Sequence, residues 1–523
     1  MCAETRAPGR SPRGSMAIPD TLAKPAAVSR APSWAPLRRV ISFPSLLGAL
    51  LVLAALLVTR AFHVDSDTWW HLVVGQRILA THSWPTSDLY SFTAHGTEWI
   101  AYEWLAEVVL AWVFGAAGFP AWMGLLFGLA SSITLLTYTY AYLRCRNPKA
   151  AFVATALVLP LAGVWFTLHP QLFGYVFLLV TLICLELFEQ GQRWALWLLP
   201  LVFLVWVNTH GTFILGFFAL AVYGLSGLVD LRQGSLVADR WSRPDRIRLE
   251  LAGLLSLVGS CLTPYGTRLA SYPLQMAFLQ RANLGGIITW QPLDLRAWPG
   301  KLFLVFLLVL IVALMALRPA LRLAEVALFL FAVGMTVLHA RMLPLFAIVL
   351  APLLASLLGR WIPKYEPAGD HYAANAFLIA LVVLGMVKIL PARRDLDRAA
   401  PAPYPEQAVV YLRAHPQPGP LLNELDWGGY LLYGLGPEQR VFIDGRVDIY
   451  EYTGVFADYL RIMNLDQSTP WLLRKYNTQS CLISTGAPLA TFLEASPEWQ
   501  KIHSDRVSVL FARRPGHSGA WRR

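Results

Sequence analysis

Immediately after its first long apolar segment, the chain carries the stretch DSDTWWH, which runs from Asp65 to His71. Two carboxylates, two indole rings and an imidazole therefore lie where a membrane span is predicted to end. Ionisable groups at a membrane boundary are costly to keep, and they often mark a functional site. This stretch is the first candidate site, and polar residues on the same side of the membrane are the next candidates.

Composition places the chain among membrane proteins. Of its 523 residues, 56% are hydrophobic and 14% are charged, and the mean hydropathy is +0.49. A soluble domain carries about 25% charged residues. Apolar blocks of about 20 residues recur through most of the chain, which predicts many helical spans. Much of the net charge of +11 lies in the N-terminal tail and short loops. We predict no nucleic-acid partner, because no basic, aromatic-rich soluble face is visible.

Positive charge in the loops predicts the orientation of the spans. Residues 1–40 are rich in Pro, Ser, Ala and Arg, and we predict a disordered cytoplasmic tail. The basic loop 231–248 must also be cytoplasmic, and counting crossings from it gives about 11 spans within residues 41–391. That count requires that residues 101–117 do not cross. We interpret them as an amphipathic helix on the outer surface, within an outer loop of residues 63–119.

Residues 392–523 differ from the rest of the chain, because apolar and polar stretches alternate there and Pro and Gly are frequent. Strand-like runs at 441–443, 481–483 and 507–511 indicate one small α/β domain. On the predicted topology this domain is extracytoplasmic. The predicted fold class is therefore a polytopic α-helical membrane protein with a C-terminal extracytoplasmic α/β domain.

The same topology brings several polar groups to the outer ends of spans, on the face that carries Asp65 and Asp67. Imidazole and guanidinium groups there can donate hydrogen bonds to a phosphate. The residues interpreted as donor-phosphate or substrate ligands are His71, His169, Gln171, Asn208, His210 and Arg341. Each histidine taken alone is equally compatible with a capped residue at the end of a span.

Asp65 and Asp67 are two positions apart, so both carboxylates can approach one ligand from an extended or turn segment. Such a pair can hold a divalent cation, Mg²⁺ or Mn²⁺, or divide the roles of general base and electrostatic stabiliser. Two carboxylates alone do not establish a metal site. The alternative is that the acidic residues only end a span.

Aromatic rings beside these carboxylates would suit a sugar. Candidate contacts to an acceptor or sugar are Trp69, Trp70, Glu103 and Trp290. The two adjacent tryptophans are also compatible with an interfacial aromatic belt. For Glu103 and Glu107, one helical turn apart, the preferred interpretation is the water-exposed face of the surface helix.

These residues carry a resemblance to the GT-C superfamily, whose members are membrane glycosyltransferases that take sugars from polyprenyl-phosphate carriers. The string DSDTWWHLVVGQRI from Asp65, together with HPQLF, NTHG, TPYG and VFIDGR further on, is similar to a group of bacterial GT-C-like proteins. The resemblance implies that Asp65 and Asp67 serve the acceptor or a metal. It also implies a multi-pass protein of the bacterial cytoplasmic membrane.

A second resemblance lies in the C-terminal region. The string LDWGGY, residues 425–430, followed by Asp444-Gly445-Arg446, resembles the WWDYG stretch of oligosaccharyltransferases. The order of Asp and Trp differs and the paired tryptophans are absent, so recognition of an acceptor peptide does not follow. The string is equally compatible with a tight turn in an α/β fold.

The functional hypothesis is a glycosyltransferase that takes its sugar from a membrane lipid carrier and transfers it to an unknown acceptor on the outer face. Asp65 or Asp67 would act as general base, and the carrier phosphate would meet His169, His210 or Arg341. Two alternatives stay open. A lipid or solute transporter would need charged residues in mid-span, which are almost absent, and a non-catalytic scaffold would keep the fold without the activity.

Overall fold

The computed structural model describes residues 35–62, 64–279, 290–436 and 439–515. Residues 1–34 of the predicted tail and residues 516–523 of the predicted C-terminal domain lie outside the described residues. The tail ends in a short helix, α1 (Ala35–Val40).

Helices form most of the described part of residues 35–389. They are α1, α2 (Phe43–Thr59), α3 (Ser66–Thr81), α4 (Trp104–Ala117), α5 (Phe119–Cys145), α6 (Pro148–Gly163), α7 (Gln171–Glu189), α8 (Leu199–Val207), α9 (Phe213–Ser226), α10 (Arg243–Gly259), α11 (Thr267–Leu279), α12 (Trp298–Leu317), α13 (Leu323–Leu338), α14 (Leu343–Leu358) and α15 (Tyr372–Ile389). Three 3-10 helices add Arg193–Leu198, Ala340–Met342 and Pro367–Gly369, and a small sheet joins β1 (Leu231–Gln233), β2 (Leu236–Ala238) and β3 (Leu321–Arg322).

The helices are those of a membrane protein. In the described part of the chain, five are long and apolar enough to cross a membrane: Phe119–Cys145, Gln171–Glu189, Trp298–Leu317, Ala340–Leu358 and Tyr372–Ile389. Shorter apolar helices are Phe43–Thr59, Trp104–Ala117, Pro148–Gly163, Arg193–Val207, Phe213–Ser226 and Leu323–Leu338. All of these helices lie within residues 41–391, where the spans are predicted, while the count of about 11 crossings stays a prediction.

An ionic cluster shows which helix ends lie together. Arg322, at the start of α13, places Nη1 2.6 Å from Glu186 Oε2 and 2.6 Å from Glu189 Oε2, both in the last turn of α7. Arg144, at the end of α5, pairs with Glu325 in the first turn of α13. The ends of α5 and α7 and the start of α13 therefore share one end of the bundle, which we call the far end.

Helix α4 stays at the opposite end. Glu103, which caps its start, lies beside His71 of α3. Phe119, two residues after its last residue, contacts the ring of Trp69, also in α3, with ring centroids 6.0 Å apart. Both ends of α4 are thus held against the start of α3, so the helix lies along the bundle end rather than running to the far end.

The C-terminal region combines short helices with a four-stranded sheet. The helices are α16 (Arg393–Ala399), α17 (Glu406–Ala414), α18 (Leu425–Leu435), α19 (Val447–Tyr452), α20 (Val455–Met463), α21 (Thr469–Lys475) and α22 (Pro488–Ala495). The strands are β4 (Leu421–Asn423), β5 (Ser480–Ser484), β6 (Trp499–Ser504) and β7 (Ser508–Arg513), in the order β4-β5-β7-β6. Strands β4 and β5 are parallel, and the other neighbours are antiparallel.

Two of the three predicted strands correspond to β5 and β7. The third run, 441–443, is not a regular strand. Its first residue, Val441, instead pairs with the outer loop: Val441 N donates to Tyr90 O at 3.1 Å, and Phe92 N donates to Val441 O at 3.0 Å. This pairing joins the C-terminal region to the loop between α3 and α4.

Candidate functional site

Asp65 and Asp67 open helix α3. Asp65 is the N-cap residue with extended backbone angles, and its Oδ1 accepts a hydrogen bond from Asp67 N at 3.1 Å. This arrangement is typical of an aspartate at a helix start, where negative charge is also favoured by the helix dipole. Thr68 Oγ1 then donates to Leu168 O at 2.6 Å. The acidic stretch is thereby attached to the residue that precedes His169.

Asp67 and His169 face each other. Asp67 Oδ2 lies 3.7 Å from His169 Nε2, and Asp67 Oδ1 accepts a hydrogen bond from Trp70 Nε1 at 3.2 Å. His169 Nδ1 accepts from Gln171 N at 3.3 Å, so the ring proton is on Nε2, toward the carboxylate. The two side chains are 32% and 20% exposed. The pair is therefore within reach of a ligand.

Several carboxylates concentrate negative charge at this site. Burial and the charge of Asp67 raise the pKa of Asp65 above its usual value. Burial together with Asp67 and Asp65 raises the pKa of Asp426, in α18, to about 6. Burial lowers the pKa of His169, but the hydrogen bond to Asp67 and the charge of Glu103 outweigh it, so the net direction is upward. The raised pKa values mean that the Asp65 and Asp426 carboxyl groups bind a proton more tightly than a free aspartate does.

A second, deeper cluster lies behind this pair. His71 Nε2 is 3.3 Å from Glu103 Oε2, and His71 Nδ1 is 3.3 Å from Glu107 Oε1. Glu103 Oε1 is in turn 3.1 Å from His210 Nε2. Glu103 is 3% exposed and Glu107 is fully buried. The interpretation of the two glutamates as a water-exposed helix face is therefore wrong.

Close helix packing produces this burial. A Cβ on Gly75 would lie 2.0 Å from the carbonyl oxygen of Glu107 and 2.9 Å from Ala111 Cβ. Glycine thus lets α3 and α4 approach backbone to backbone. His71, one turn before Gly75 on the same helix face, is then placed between the two glutamates of α4.

Arg341 forms the other wall of the site. Its Nη2 donates to Gln171 Oε1 at 2.7 Å, and its guanidinium carbon lies 4.5 Å from the centre of the Trp290 ring. Gln171 Nε2 donates to Tyr175 OH at 2.7 Å, and that hydroxyl donates to Arg341 O. Because Gln171 also follows His169 by two residues, this network places Arg341 and Trp290 next to the Asp67–His169 pair.

Six predicted contacts are buried rather than placed in the open site. His71, Glu103 and His210 belong to the deeper cluster, and the other three are Trp69, Trp70 and Asn208. Trp69 is fully buried and packs on the rings of Tyr404 and Tyr430, with centroids 5.5 and 5.0 Å away. Trp70 is 3% exposed, so neither tryptophan offers an open ring face to a sugar. Asn208 Oδ1 accepts from Trp104 Nε1 at 2.8 Å, which holds the start of α4 in place.

The residues present do not complete a metal site. Within the described ranges, no group of three or more His, Cys, Asp and Glu side chains has an arrangement that could hold a metal ion. Asp65 Oδ1 and Asp67 Oδ1 already accept hydrogen bonds from protein groups. A bound Mg²⁺ or Mn²⁺ would need further oxygen ligands from a substrate or water, and metal dependence stays a prediction.

The C-terminal region contributes residues that sequence reasoning did not place at the site. A Cβ on Gly445 would lie 1.8 Å from Asp67 Oδ1 and 2.7 Å from Trp70 Nε1. A Cβ on Gly429 would lie 2.8 Å from Trp70 N. The glycines of the VFIDGR and LDWGGY strings therefore touch the acidic stretch directly. These two strings were the sequence feature from which the contribution of the C-terminal region could have been predicted.

Arg446 fixes the loop that carries Gly445. It is 1% exposed, with Nη2 2.6 Å from Asp444 Oδ2 and Nη1 2.8 Å from Asp88 Oδ1 of the outer loop. Its guanidinium carbon also lies 4.8 Å from the ring centres of Tyr90 and Trp99. A buried arginine with two carboxylates and two aromatic faces is a strong, directional link.

No protein-family model matches the sequence, and no curated protein matches it either. Among solved structures, the oligosaccharyltransferase of Archaeoglobus fulgidus, tethered with an acceptor peptide containing the NVT sequon, is 11% identical with a TM-score of 0.52, covering 85% of this chain and 70% of that chain. ArnT from Cupriavidus metallidurans, bound to undecaprenyl phosphate, is 15% identical with a TM-score of 0.44. The match covers 90% of this chain and 98% of that chain.

At these identities the likeness to the oligosaccharyltransferase concerns the fold. The chain shares the fold of that oligosaccharyltransferase, and the fold expected from the motif resemblance is confirmed. The roles of individual residues have to come from the site itself.

Proposed function

We propose that this protein is a membrane glycosyltransferase that moves a sugar from a polyprenyl-phosphate-linked donor to an acceptor. The observation that carries the proposal is the partly exposed pair of Asp67 and His169, 3.7 Å apart, in a GT-C-like fold. A carboxylate that a ligand can reach and an adjacent imidazole donor are the groups that acid–base catalysis of sugar transfer needs.

The proposed reaction proceeds with inversion at the sugar. An acceptor hydroxyl attacks the anomeric carbon, a new carbon–oxygen bond forms, and the bond to the carrier phosphate breaks. Asp67 takes the hydroxyl proton, and Asp65 adds negative charge beside it. The leaving phosphate accepts hydrogen bonds from Arg341 and His169, because both are donors at one wall of the site.

The proposal includes the predicted placement of the chain. The protein spans the bacterial cytoplasmic membrane about 11 times, with a cytoplasmic N-terminus and the site on the outer face. Residues 41–391 form the transmembrane domain and residues 392–523 an extracytoplasmic domain. In support, His169 before α7 and Arg341 after α13 lie at the end of the bundle opposite the Arg322 cluster, as the loop charges predict.

Asp67→Asn and Asp65→Asn test the proposal. An amide keeps the volume, but it can neither take a proton as Asp67 does nor supply the negative charge of Asp65. Each variant should therefore lose transfer by about 10²–10⁴-fold while folding normally. The assay follows label from a pool of polyprenyl-phosphate sugars into membrane and envelope products at matched expression. Asp239→Asn is the control, because Asp239 is 75% exposed in a loop at Arg232. Full transfer by both variants and by the double variant would overturn the proposal.

A further inference from the structure

The proposed reaction leaves one part of the site without a task, the chain of buried groups Glu107, His71, Glu103 and His210. Consecutive members lie 3.3, 3.3 and 3.1 Å apart. All four side chains are at most 10% exposed. Four adjacent ionisable groups buried in one line are costly, unless protons are shared among them.

Hydrogen bonds fix the proton of His210. Its Nδ1 accepts from Thr212 N at 3.0 Å, so the ring proton of the neutral form is on Nε2, which lies 3.1 Å from Glu103 Oε1. Burial and the charge of His169 lower the pKa of His210 well below its usual value, which keeps the ring neutral. Glu103 Oε1 therefore faces an N–H group in every arrangement of the remaining protons.

His71 has two arrangements available. Its two nitrogens both face carboxylates, but a neutral imidazole carries one proton. In the first arrangement Glu107 is protonated and donates to Nδ1, while Nε2–H faces an ionised Glu103. In the second arrangement Glu103 is protonated and donates to Nε2, while Nδ1–H faces an ionised Glu107. Each arrangement holds two protons and one negative charge, so the two differ only in where the charge lies.

Neither arrangement is fixed by the surrounding atoms. His71 Nε2, although 3.3 Å from Glu103, has no regular hydrogen bond, and Glu107 Oε2 has no hydrogen-bond partner among the described residues. Burial lowers the pKa of His71 and raises the pKa of Glu107, and it raises that of Glu103 to about 8. In a purely structural network, each buried polar atom would be expected to have a hydrogen-bond partner.

We propose that Glu107, His71 and Glu103 form a proton relay that moves one negative charge toward or away from the Asp67–His169 pair. To shift the charge toward the pair, Glu103 gives its proton to His71 Nε2 and His71 gives its Nδ1 proton to Glu107. No proton enters or leaves. These three are positioning residues, since none of them has been placed against a substrate.

The relay rests on the proposed function, because its task is to balance charge during transfer. When Asp67 takes the acceptor proton, His169 loses its negative partner. An ionised Glu103 replaces that partner. The other groups near Glu103 are the cation Arg341 and the neutral N–H donor His210. On the other side, Arg446 is the cation that stabilises the charge when it lies on Glu107.

Glutamine variants lock the relay in opposite arrangements. In Glu107→Gln the amide donates to Nδ1, so His71 keeps Nε2–H. In Glu103→Gln the amide oxygen accepts from His210 and the amide N–H donates to Nε2, so His71 keeps Nδ1–H. Both variants keep the volume and the hydrogen bonds, and Glu98→Gln, 66% exposed in the same outer loop, is the matched control.

The experiment is ¹⁵N NMR of the His71 ring in the full-length protein, combined with the transfer assay. The wild type should show both tautomers, Glu107→Gln only Nε2–H and Glu103→Gln only Nδ1–H. Both variants should transfer about 10-fold or more slowly and show altered pH profiles, while Glu98→Gln should match the wild type. Histidine assignments would come from a His71→Gln spectrum.

Two results would overturn the relay. One His71 tautomer at every pH in the wild type would show a fixed network, and this spectrum does not depend on either variant folding. Locked tautomers with wild-type transfer and pH profile would show that the charge shift is not coupled to the reaction. Failure of the glycosyltransferase proposal is separate, since it would appear as full transfer by Asp67→Asn.

Discussion

Buried carboxylates occur at both ends of the helix bundle, but they face different partners. At the far end, Glu186 and Glu189 face Arg322, and Glu325 faces Arg144. An arginine stays charged at every physiological pH, so these pairs are permanent.

At the site end, the carboxylates at the starts of α3 and α4 face imidazoles, while Asp88 and Asp444 pair with Arg446. Glu103 lies between His71 and His210, and Asp67 lies beside His169. Imidazoles gain and lose protons near neutral pH, so the same kind of contact can take part in proton transfer. The comparison teaches that the identity of the cation, rather than the burial of the carboxylate, separates a structural cluster from a chemical one.

The largest effect is expected from breaking the far end. Arg322→Met leaves Glu186, 1% exposed, without its cation. Removing one partner of a buried pair should cost about 3 kcal/mol of stability. Transfer per folded molecule should be unchanged, because the substitution does not touch the site. Thermal unfolding in detergent and transfer per folded protein measure the two quantities. Loss of transfer at full stability would contradict the structural role of this cluster.

A smaller effect is expected where the C-terminal region touches the acidic stretch. Gly445→Ala puts a Cβ against Asp67 Oδ1, so the carboxylate must move from its position beside His169. Misplacing a reacting group by about 1 Å costs up to 10²-fold in rate, and we expect a loss of about 10-fold with little change in stability. Gly486→Ala, where a Cβ meets nothing within 4 Å, is the control. Equal rates for the two variants would show that Gly445 does not position Asp67.

The last effect is gradual and concerns pH. Burial raises the pKa of Glu103 from 4.5 to about 8. Between those values the folded protein holds a proton that the unfolded chain has released, so stability falls as pH rises, by at most about 1.4 kcal/mol per unit. Unfolding midpoints measured across this window should fall less steeply for Glu103→Gln than for the wild type and for Glu98→Gln. Parallel slopes for all three proteins would show that Glu103 does not hold this proton.

Part of this site could be predicted from sequence. Loop charge and span parity place Asp67, His169 and Arg341 at one end of the bundle without any knowledge of packing, and motif strings indicate the GT-C-like fold. The end of a span is a local property of the sequence, which explains why the position of these residues could be predicted.

Other parts depend on contacts between distant segments. The burial of Glu103 and Glu107 follows from the close approach at Gly75, which no local pattern reports. Trp69 is covered by Tyr404 and Tyr430 of the C-terminal region. Helical periodicity shows which residues share a face, but it does not show what covers that face.

The central claim is that the carboxylates facing imidazoles take part in proton transfer during the reaction, whereas those facing arginines maintain the fold. The most direct measurement is sugar transfer per folded molecule by Asp67→Asn and Arg322→Met, side by side with the wild type. We predict that Asp67→Asn folds normally and loses transfer by about 10²–10⁴-fold, and that Arg322→Met is less stable but transfers normally once folded. Full transfer by Asp67→Asn would contradict the account.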